Sequence, residues 1–155
     1  MKLILEKNKL IKLKKFALIF IITGCGYTNI ELLFRGYTHP SMIVVGGLCG
    51  GLIGILSEKG LKLKLWQKCA ISALLVLFIE FISGYILNIK FQLGVWDYSK
   101  EPMNILGQVC PSFGIAWFFL SIIALWLNDY IGYVFFNEEY EGNLFVYIKR
   151  LITLK

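Results

Sequence analysis

Charged residues are scarce in this chain, and their distribution excludes an ordinary soluble domain. Lys, Arg, Asp and Glu make up 17% of the 155 residues, and 57% are hydrophobic. Soluble proteins carry about 25% charged residues. Here the charges lie in blocks between long runs that contain almost none. This pattern is typical of a protein that crosses a membrane several times, and the length predicts one membrane domain, residues 1–155.

Motifs of several catalytic and binding classes are also absent. The chain has a single His and no C-x-x-C pair, so we expect no metal site and no cofactor. It has no G-x-x-x-x-G-K-S/T loop, so it lacks this means of cradling a nucleotide phosphate. The basic residues flank apolar runs and do not form a soluble basic face, which argues against a nucleic-acid partner.

Four apolar runs are long enough to cross a lipid bilayer. The lipid bilayer is therefore an expected partner of the chain. They cover about residues 16–34, 40–56, 66–87 and 103–127, and a crossing helix needs about 17–25 residues. No run alternates polar and apolar residues, which argues against a barrel. The sequence therefore predicts an all-α integral membrane bundle of four transmembrane helices. We expect short interfacial helices at the termini, in the basic segment 1–15 and in the tail 128–155.

The basic residues predict the orientation of the bundle. Thirteen of the 16 Lys and Arg residues lie in the N-terminal segment, the loop between the second and third runs, or the tail. The two other loops hold three. By the positive-inside rule, the chain lies in the cell membrane with both termini in the cytoplasm.

Each predicted span contains one cysteine: Cys25, Cys49, Cys69 and Cys110. None lies in an outer loop, so we expect small buried side chains and no disulfides. The segment "ITGC" ending at Cys25 also resembles a lipoprotein signal, which leaves lipid attachment there as an alternative.

Glycine is concentrated in the second apolar run, where Gly46, Gly50 and Gly54 recur every fourth residue beside Gly47 and Gly51. Small residues at this spacing let another helix approach closely. The pattern favours a partner helix within the chain, and a second copy of the chain is the alternative.

Polar residues inside the membrane are candidates for function because a charge there is costly. Glu80 interrupts the third run, with Gly84 and Asn88 following on the same helical face. In the fourth run Asn104 and Gln108 lie one turn apart, and we expect Pro111 to kink the helix below them.

Two further segments complete a predicted pocket in the outer half of the bundle. Glu31 and Arg35 have the spacing of a helical ion pair near the end of the first run. Asp97 lies in the loop "VWDYSKEP", over the mouth of the pocket. The predicted binding residues are Glu31, Arg35, Glu80, Asn88, Asp97, Asn104 and Gln108.

Three segments, "YTNIELLFRGYTHPSMIVVGG", "EFISGYILN" and "VWDYSKEPMNILGQVCPSFGIAW", carry a family resemblance. Over about residues 27–129 the chain resembles the small bacterial membrane proteins grouped as "putative ABC-transporter type IV". It departs from the family pattern at "YTHPSM", which indicates a subgroup. The matching positions are Glu31, Arg35, Gly36, Glu80, Gly84, Trp96, Asp97, Tyr98, Ser99, Pro102, Asn104, Gly107 and Gln108.

The resemblance implies a transporter permease component. An ATPase would then be a separate subunit, and a second copy or another membrane subunit would complete the pathway. The pocket residues favour a small polar or cationic solute, with Glu80 as its charge partner. One alternative is a membrane enzyme acting on lipid or envelope material, with Asp97 or Glu80 as acid or base and Arg35 holding a phosphate. The other is an accessory protein that only packs against a partner.

Overall fold

The computed structural model describes residues 2–57 and 62–154, with side chains from Glu6 onward. These residues form five α-helices and no strand. The helices are α1 (Lys2–Arg35), α2 (Ser41–Ser57), α3 (Leu65–Gly84), α4 (Pro111–Phe136) and α5 (Leu144–Ile152). A π-helical segment, Tyr85–Lys90, continues α3. The all-helical prediction is confirmed.

Three of the helices are long and apolar enough to cross a membrane. They cover Glu6–Arg35, Leu65–Lys90 and Pro111–Phe136. Helix α2 is equally apolar but has only 17 residues. Its length of about 26 Å falls short of a hydrocarbon core of about 30 Å. The fourth crossing therefore stays a prediction.

The two ends of the bundle differ in what they carry. The terminal end bears Lys15, Ser57 and the loop after α4, since Lys15 Nζ lies 2.7 Å from a carboxylate oxygen of Glu138. The loop end bears Arg35 and residues 91–110, since Arg35 donates a hydrogen bond to the carbonyl of Val95 at 3.3 Å. On the outside of the bundle, large apolar side chains such as Leu33 and Phe78 are exposed, as lipid contact requires.

Two predicted boundaries differ from the structure. The basic segment 1–15 was expected to form its own helix, but α1 runs unbroken from Lys2 to Arg35. The fourth span was expected at 103–127, but α4 begins at Pro111 and continues to Phe136. Proline is favoured in the first helical turn because its missing N–H would be unpaired there. Pro111 thus starts this helix and does not kink it.

The glycines of α2 pack against α1 of the same chain. A Cβ at Gly47 would lie 2.7 Å from the Phe20 carbonyl oxygen, and one at Gly46 would lie 2.7 Å from Tyr27 Cβ. A Cβ at Gly50 would collide with Thr23. The prediction of a partner helix within the chain is confirmed.

The tail forms a helix as expected, and three of the four cysteines are buried as expected. Helix α5 forms as the apolar stripe predicted, and Asn143 begins it by accepting the Val146 N–H at 3.2 Å. Cys49, Cys69 and Cys110 are buried and unpaired, but Cys25 is exposed on α1.

We predict that Gly47→Ala lowers the free energy of unfolding by about 1–3 kcal/mol, because its Cβ meets backbone that cannot rotate away. Gly26→Ala on α1 is the matched control, since nothing lies within 4 Å of a Cβ there. Alanine favours helix over glycine by up to about 1 kcal/mol, so the control should unfold at the same temperature or higher. Thermal unfolding in detergent measures both. Equal stability of the two variants would contradict close α1–α2 packing.

We also predict that Ser99→Cys reacts with an impermeant maleimide on intact cells, whereas Lys62→Cys reacts only after lysis. Both positions are exposed, at opposite ends of the bundle. The wild type provides the background labelling of Cys25. The reverse pattern would show that the charge asymmetry does not set the orientation.

Candidate functional site

Residues 91–110 form a folded cap over the loop end of the bundle, and Asn88 anchors it. The Asn88 side-chain oxygen accepts the Val95 N–H at 2.7 Å. Its amide nitrogen donates to the Trp96 carbonyl at 3.0 Å and to Gln108 Oε1 at 2.8 Å. One side chain at the end of the third span thus holds two separate segments of the cap, at Val95–Trp96 and at Gln108.

Gln108 is the second anchor and is 5% exposed. Its amide nitrogen donates to the Leu106 carbonyl at 2.8 Å, and its backbone carbonyl accepts the Trp96 indole N–H at 3.0 Å. Gly84 leaves room for this arrangement, since a Cβ there would collide with Gln108 and lie 2.9 Å from the Trp96 ring. The structure thus brings Gly84, Asn88 and Gln108 together, although Gln108 lies in a loop and not on a helix.

Asn104 and Asp97 build the turns of the cap. Asn104 accepts the Gly107 N–H at 2.9 Å and donates to the Glu101 carbonyl at 2.8 Å. Asp97 accepts the Ser99 N–H at 2.8 Å and the Ser99 hydroxyl at 2.9 Å. Side chains that bond nearby backbone compete with helix formation, which explains why residues 103–110 do not extend α4.

The two bonds from Ser99, led by its backbone N–H, lower the pKa of the Asp97 carboxyl. A lowered pKa means that the folded state favours the charged form. This stabilisation is complete above the ordinary carboxyl pKa and is lost as pH falls through the lowered value. Asp97 therefore stays charged and bonded within the cap at neutral pH.

Tyr98 joins the cap to α4 and lies near Glu80. Its N–H donates to the Gly107 carbonyl at 2.8 Å, and its ring stacks on Phe113 at 4.3 Å between centroids. Burial, and then the nearby Glu80 carboxylate, raise the pKa of Tyr98. Its hydroxyl therefore stays neutral at physiological pH.

Glu31 and Arg35 form the predicted ion pair at the end of α1. Arg35 Nη2 lies 2.5 Å from Glu31 Oε1, and the Thr38 hydroxyl donates to the other carboxylate oxygen at 2.5 Å. Arg35 also lies over the Tyr37 ring, at 5.0 Å, and contacts Val95 of the cap. These contacts link α1 to the cap, and none of them involves Glu80.

Glu80 lies deeper, between the helices, and is 2% exposed. Its Oε2 accepts the Trp117 indole N–H of α4 at 2.9 Å. It lines a cavity of about 270 Å³ between α1, α2, α3 and α4. The Tyr27 and Trp117 rings, 5.5 Å apart, lie on the same cavity. Every other residue that lines it is uncharged.

A second polar cluster, at the terminal end, was missed by the sequence analysis. Asp129 of α4 accepts hydrogen bonds from the Ser57 hydroxyl, the Asn128 amide at 3.0 Å and the Tyr147 hydroxyl. Burial, and then the bond to Asp129, raise the pKa of Tyr147. The cluster borders a cavity of about 810 Å³. The polar pair Asn128–Asp129 near the end of an apolar run was the available signal, but we assigned it to the tail.

Features of an enzyme or a metal centre are sparse. His39 Nδ1 lies 2.7 Å from the Ser41 hydroxyl, but it also accepts the Ser41 N–H at 3.3 Å, which makes the pair part of the start of α2. Among residues 2–57 and 62–154, no three His, Cys, Asp or Glu side chains are grouped to hold a metal ion.

The fold is that of an integral membrane bundle. Its helices are long and apolar, polar side chains are buried between them, and polar clusters lie at both ends. Over residues 15–151 the chain matches the family described as "Putative ABC-transporter type IV", and it belongs to that family. The resemblance seen in the sequence is confirmed. No solved structure matches the chain.

We predict that Asn88→Ala lowers the free energy of unfolding by about 1–3 kcal/mol, because it leaves buried groups of the cap unpaired. Trypsin should then cleave faster after Lys100, which is exposed in the cap. Asn29→Ala, which removes an exposed bond to the Cys25 carbonyl, is the control. Unchanged cleavage in Asn88→Ala would show that the cap holds without this anchor.

Proposed function

We propose that this chain is the membrane-embedded permease-type subunit of a bacterial transport system and that it binds a small cationic solute beside Glu80. Family membership supports the transport role. The observation that carries the solute class is the single carboxylate in a cavity whose other lining residues are uncharged. A carboxylate at this depth is costly, and an approaching cation offsets the cost.

The ring pair beside Glu80 supports an organic cation over a bare metal ion. Tyr27 and Trp117 border the same cavity and are 5.5 Å apart. Aromatic faces attract ammonium groups, more strongly where water is excluded. Only one hydrogen bond to Glu80 is described, from Trp117. A carboxylate has about four lone-pair sites, which leaves acceptor capacity for a solute.

The remaining predicted site residues take a different role in this proposal. Asn88, Asp97, Asn104 and Gln108 direct hydrogen bonds to the cap itself. We propose that they close the solute cavity on the loop end, and that Glu31 and Arg35 fasten the cap to α1. Solute entry from outside the cell then requires the cap to shift.

The proposal includes partners and orientation. The chain lies in the cell membrane with the loop end outside and both termini in the cytoplasm. A separate ATPase subunit supplies energy, consistent with the family and with the absence of a phosphate-cradling loop in this sequence. A second copy or another membrane subunit completes the pathway. Helix α2 acts as the fourth crossing, close to α1.

We predict that tetramethylammonium raises the melting temperature of the purified wild type more than NaCl at equal concentration, because it binds the folded state. Glu80→Gln should abolish this difference. The amide keeps the shape and can still accept the Trp117 N–H, but it has no charge. The variant should itself melt at the wild-type temperature or higher, because a costly ionisable group is removed.

The matched control is Glu31→Gln, which removes a buried carboxylate outside the cavity. It should keep the tetramethylammonium effect. If Glu80→Gln keeps the effect, or if both variants lose it equally, Glu80 is not the cation site. Mass spectrometry of small molecules that co-purify with the wild type in mild detergent, but not with Glu80→Gln, would name the solute.

A further inference from the structure

We propose that the cavity at the terminal end of the bundle binds a phosphate group, and that Lys64 and Lys68 are its main ligands. The cavity holds about 810 Å³ and is bordered by α1, α2, α3, α4 and α5. It is a different site from the Glu80 cavity, which lies deeper between the helices. The phosphate belongs either to an anionic lipid headgroup or to a soluble phosphate compound.

Five basic side chains border this cavity: Lys12, Lys15, Lys64, Lys68 and Arg150. They come from separate parts of the chain. Lys15 is held by Glu138 at 2.7 Å, and Arg150 is held by Glu141 at 3.5 Å. Lys12 also has an interaction of its own. These three cations are engaged without a ligand.

Lys64 and Lys68 are different. Lys64 lies just before the first residue of α3, and Lys68 follows one helical turn later, so both project from the same part of the cavity wall. Within residues 2–57 and 62–154, neither ammonium group has an acidic partner. Two adjacent unpaired cations beside a cavity create a positive potential there, which attracts an anion.

The acidic residues of the cavity do not cancel these lysines. Asp129 already accepts bonds from Ser57, Asn128 and Tyr147. Glu138 and Glu141 face Lys15 and Arg150, and Glu139 also has its own interaction. The acidic groups are therefore engaged, whereas Lys64 and Lys68 have no acidic partner in the part of the chain that the structure describes.

The depth of the cavity favours the headgroup of an anionic lipid as the source of the phosphate. Lys64 precedes α3, and Glu138 follows the end of α4 at Phe136. The cavity thus lies where the apolar segments end, which is the level of the lipid phosphates. Basic pockets between membrane helices bind anionic headgroups, and each Lys or Arg near the surface contributes about 1 kcal/mol.

The test uses the full chain in a neutral detergent with dioleoyl phosphatidylglycerol, dioleoyl phosphatidylcholine or inorganic phosphate as the added probe. We expect phosphatidylglycerol to raise the melting temperature more than phosphatidylcholine. The double variant Lys64→Gln/Lys68→Gln should bind phosphatidylglycerol roughly tenfold to thirtyfold more weakly, from about 1 kcal/mol per lysine. Lys64→Arg/Lys68→Arg, which keeps both charges, should bind it like the wild type.

The matched control is Lys90→Gln/Lys100→Gln, which removes two exposed lysines at the loop end, away from the cavity. It should bind phosphatidylglycerol within about threefold of the wild type, because distant charges are screened by salt. A response to inorganic phosphate that the Lys64→Gln/Lys68→Gln variant loses would support the site and assign it to a soluble compound. Equal losses in the two Gln variants, or no response to either probe, would overturn the proposal.

Discussion

The contact between α1 and the glycines of α2 determines the shape of both cavities. Gly46, Gly47, Gly50 and Gly51 let α2 lie directly on the side chains and backbone of α1. The two helices then act as one wall. In its middle, this wall borders the Glu80 cavity through Tyr27 and Gly50, and toward the terminal end it borders the larger cavity through Phe16 and Gly51. Lipid offers no hydrophobic drive for helix association, so such close packing is the principal way to hold this wall together.

The polar side chains of the bundle lie at three depths, and their hydrogen-bond and ion-pair partners differ from one depth to the next. At the loop end, amide side chains bond the backbone of the cap. At mid-depth, the carboxylate of Glu80 accepts an indole N–H. At the terminal end, ion pairs and the Asp129 cluster lie beside Lys64 and Lys68. Amides need only hydrogen-bond partners, whereas charges need partners or water. This explains why most of the charged residues lie near the ends.

Much of this arrangement could be read from the sequence. Helical content and the α2 glycine pattern follow from composition and spacing, and Glu80 is conspicuous within an apolar run. Family membership was indicated by the resemblance of three segments. Gln108 was expected to approach Glu80 in depth, and in the structure its side chain contacts Asn88 and Gly84. The helix expected over 103–127, from which that depth was judged, is wrong in its bounds, because α4 begins at Pro111.

The sequence could not reveal the cap, and for the Asp129 cluster it offered only the polar pair Asn128–Asp129. The cap depends on backbone turns at Leu106 and Gly107 and on bonds from Asn104, which hydropathy does not encode. Asp129 is recognised only when Ser57 and Tyr147, from α2 and α5, are seen to meet it. Contacts between single polar residues that are far apart in sequence produce no periodic pattern, so one sequence does not predict them.

The two cavities differ in how many charged residues border them, and this difference follows from how easily water reaches each one. Near the terminal end, ions are screened, so five cations and several acids coexist around one cavity at little cost. Between the helices, the penalty for removing ions from water can exceed their mutual attraction. A single carboxylate there has no lysine or arginine among the residues that border the cavity, and its one hydrogen bond from residues 2–57 and 62–154 comes from Trp117. We therefore propose that a ligand completes the coordination of Glu80, because such a group is costly to bury and is only partly satisfied by packing.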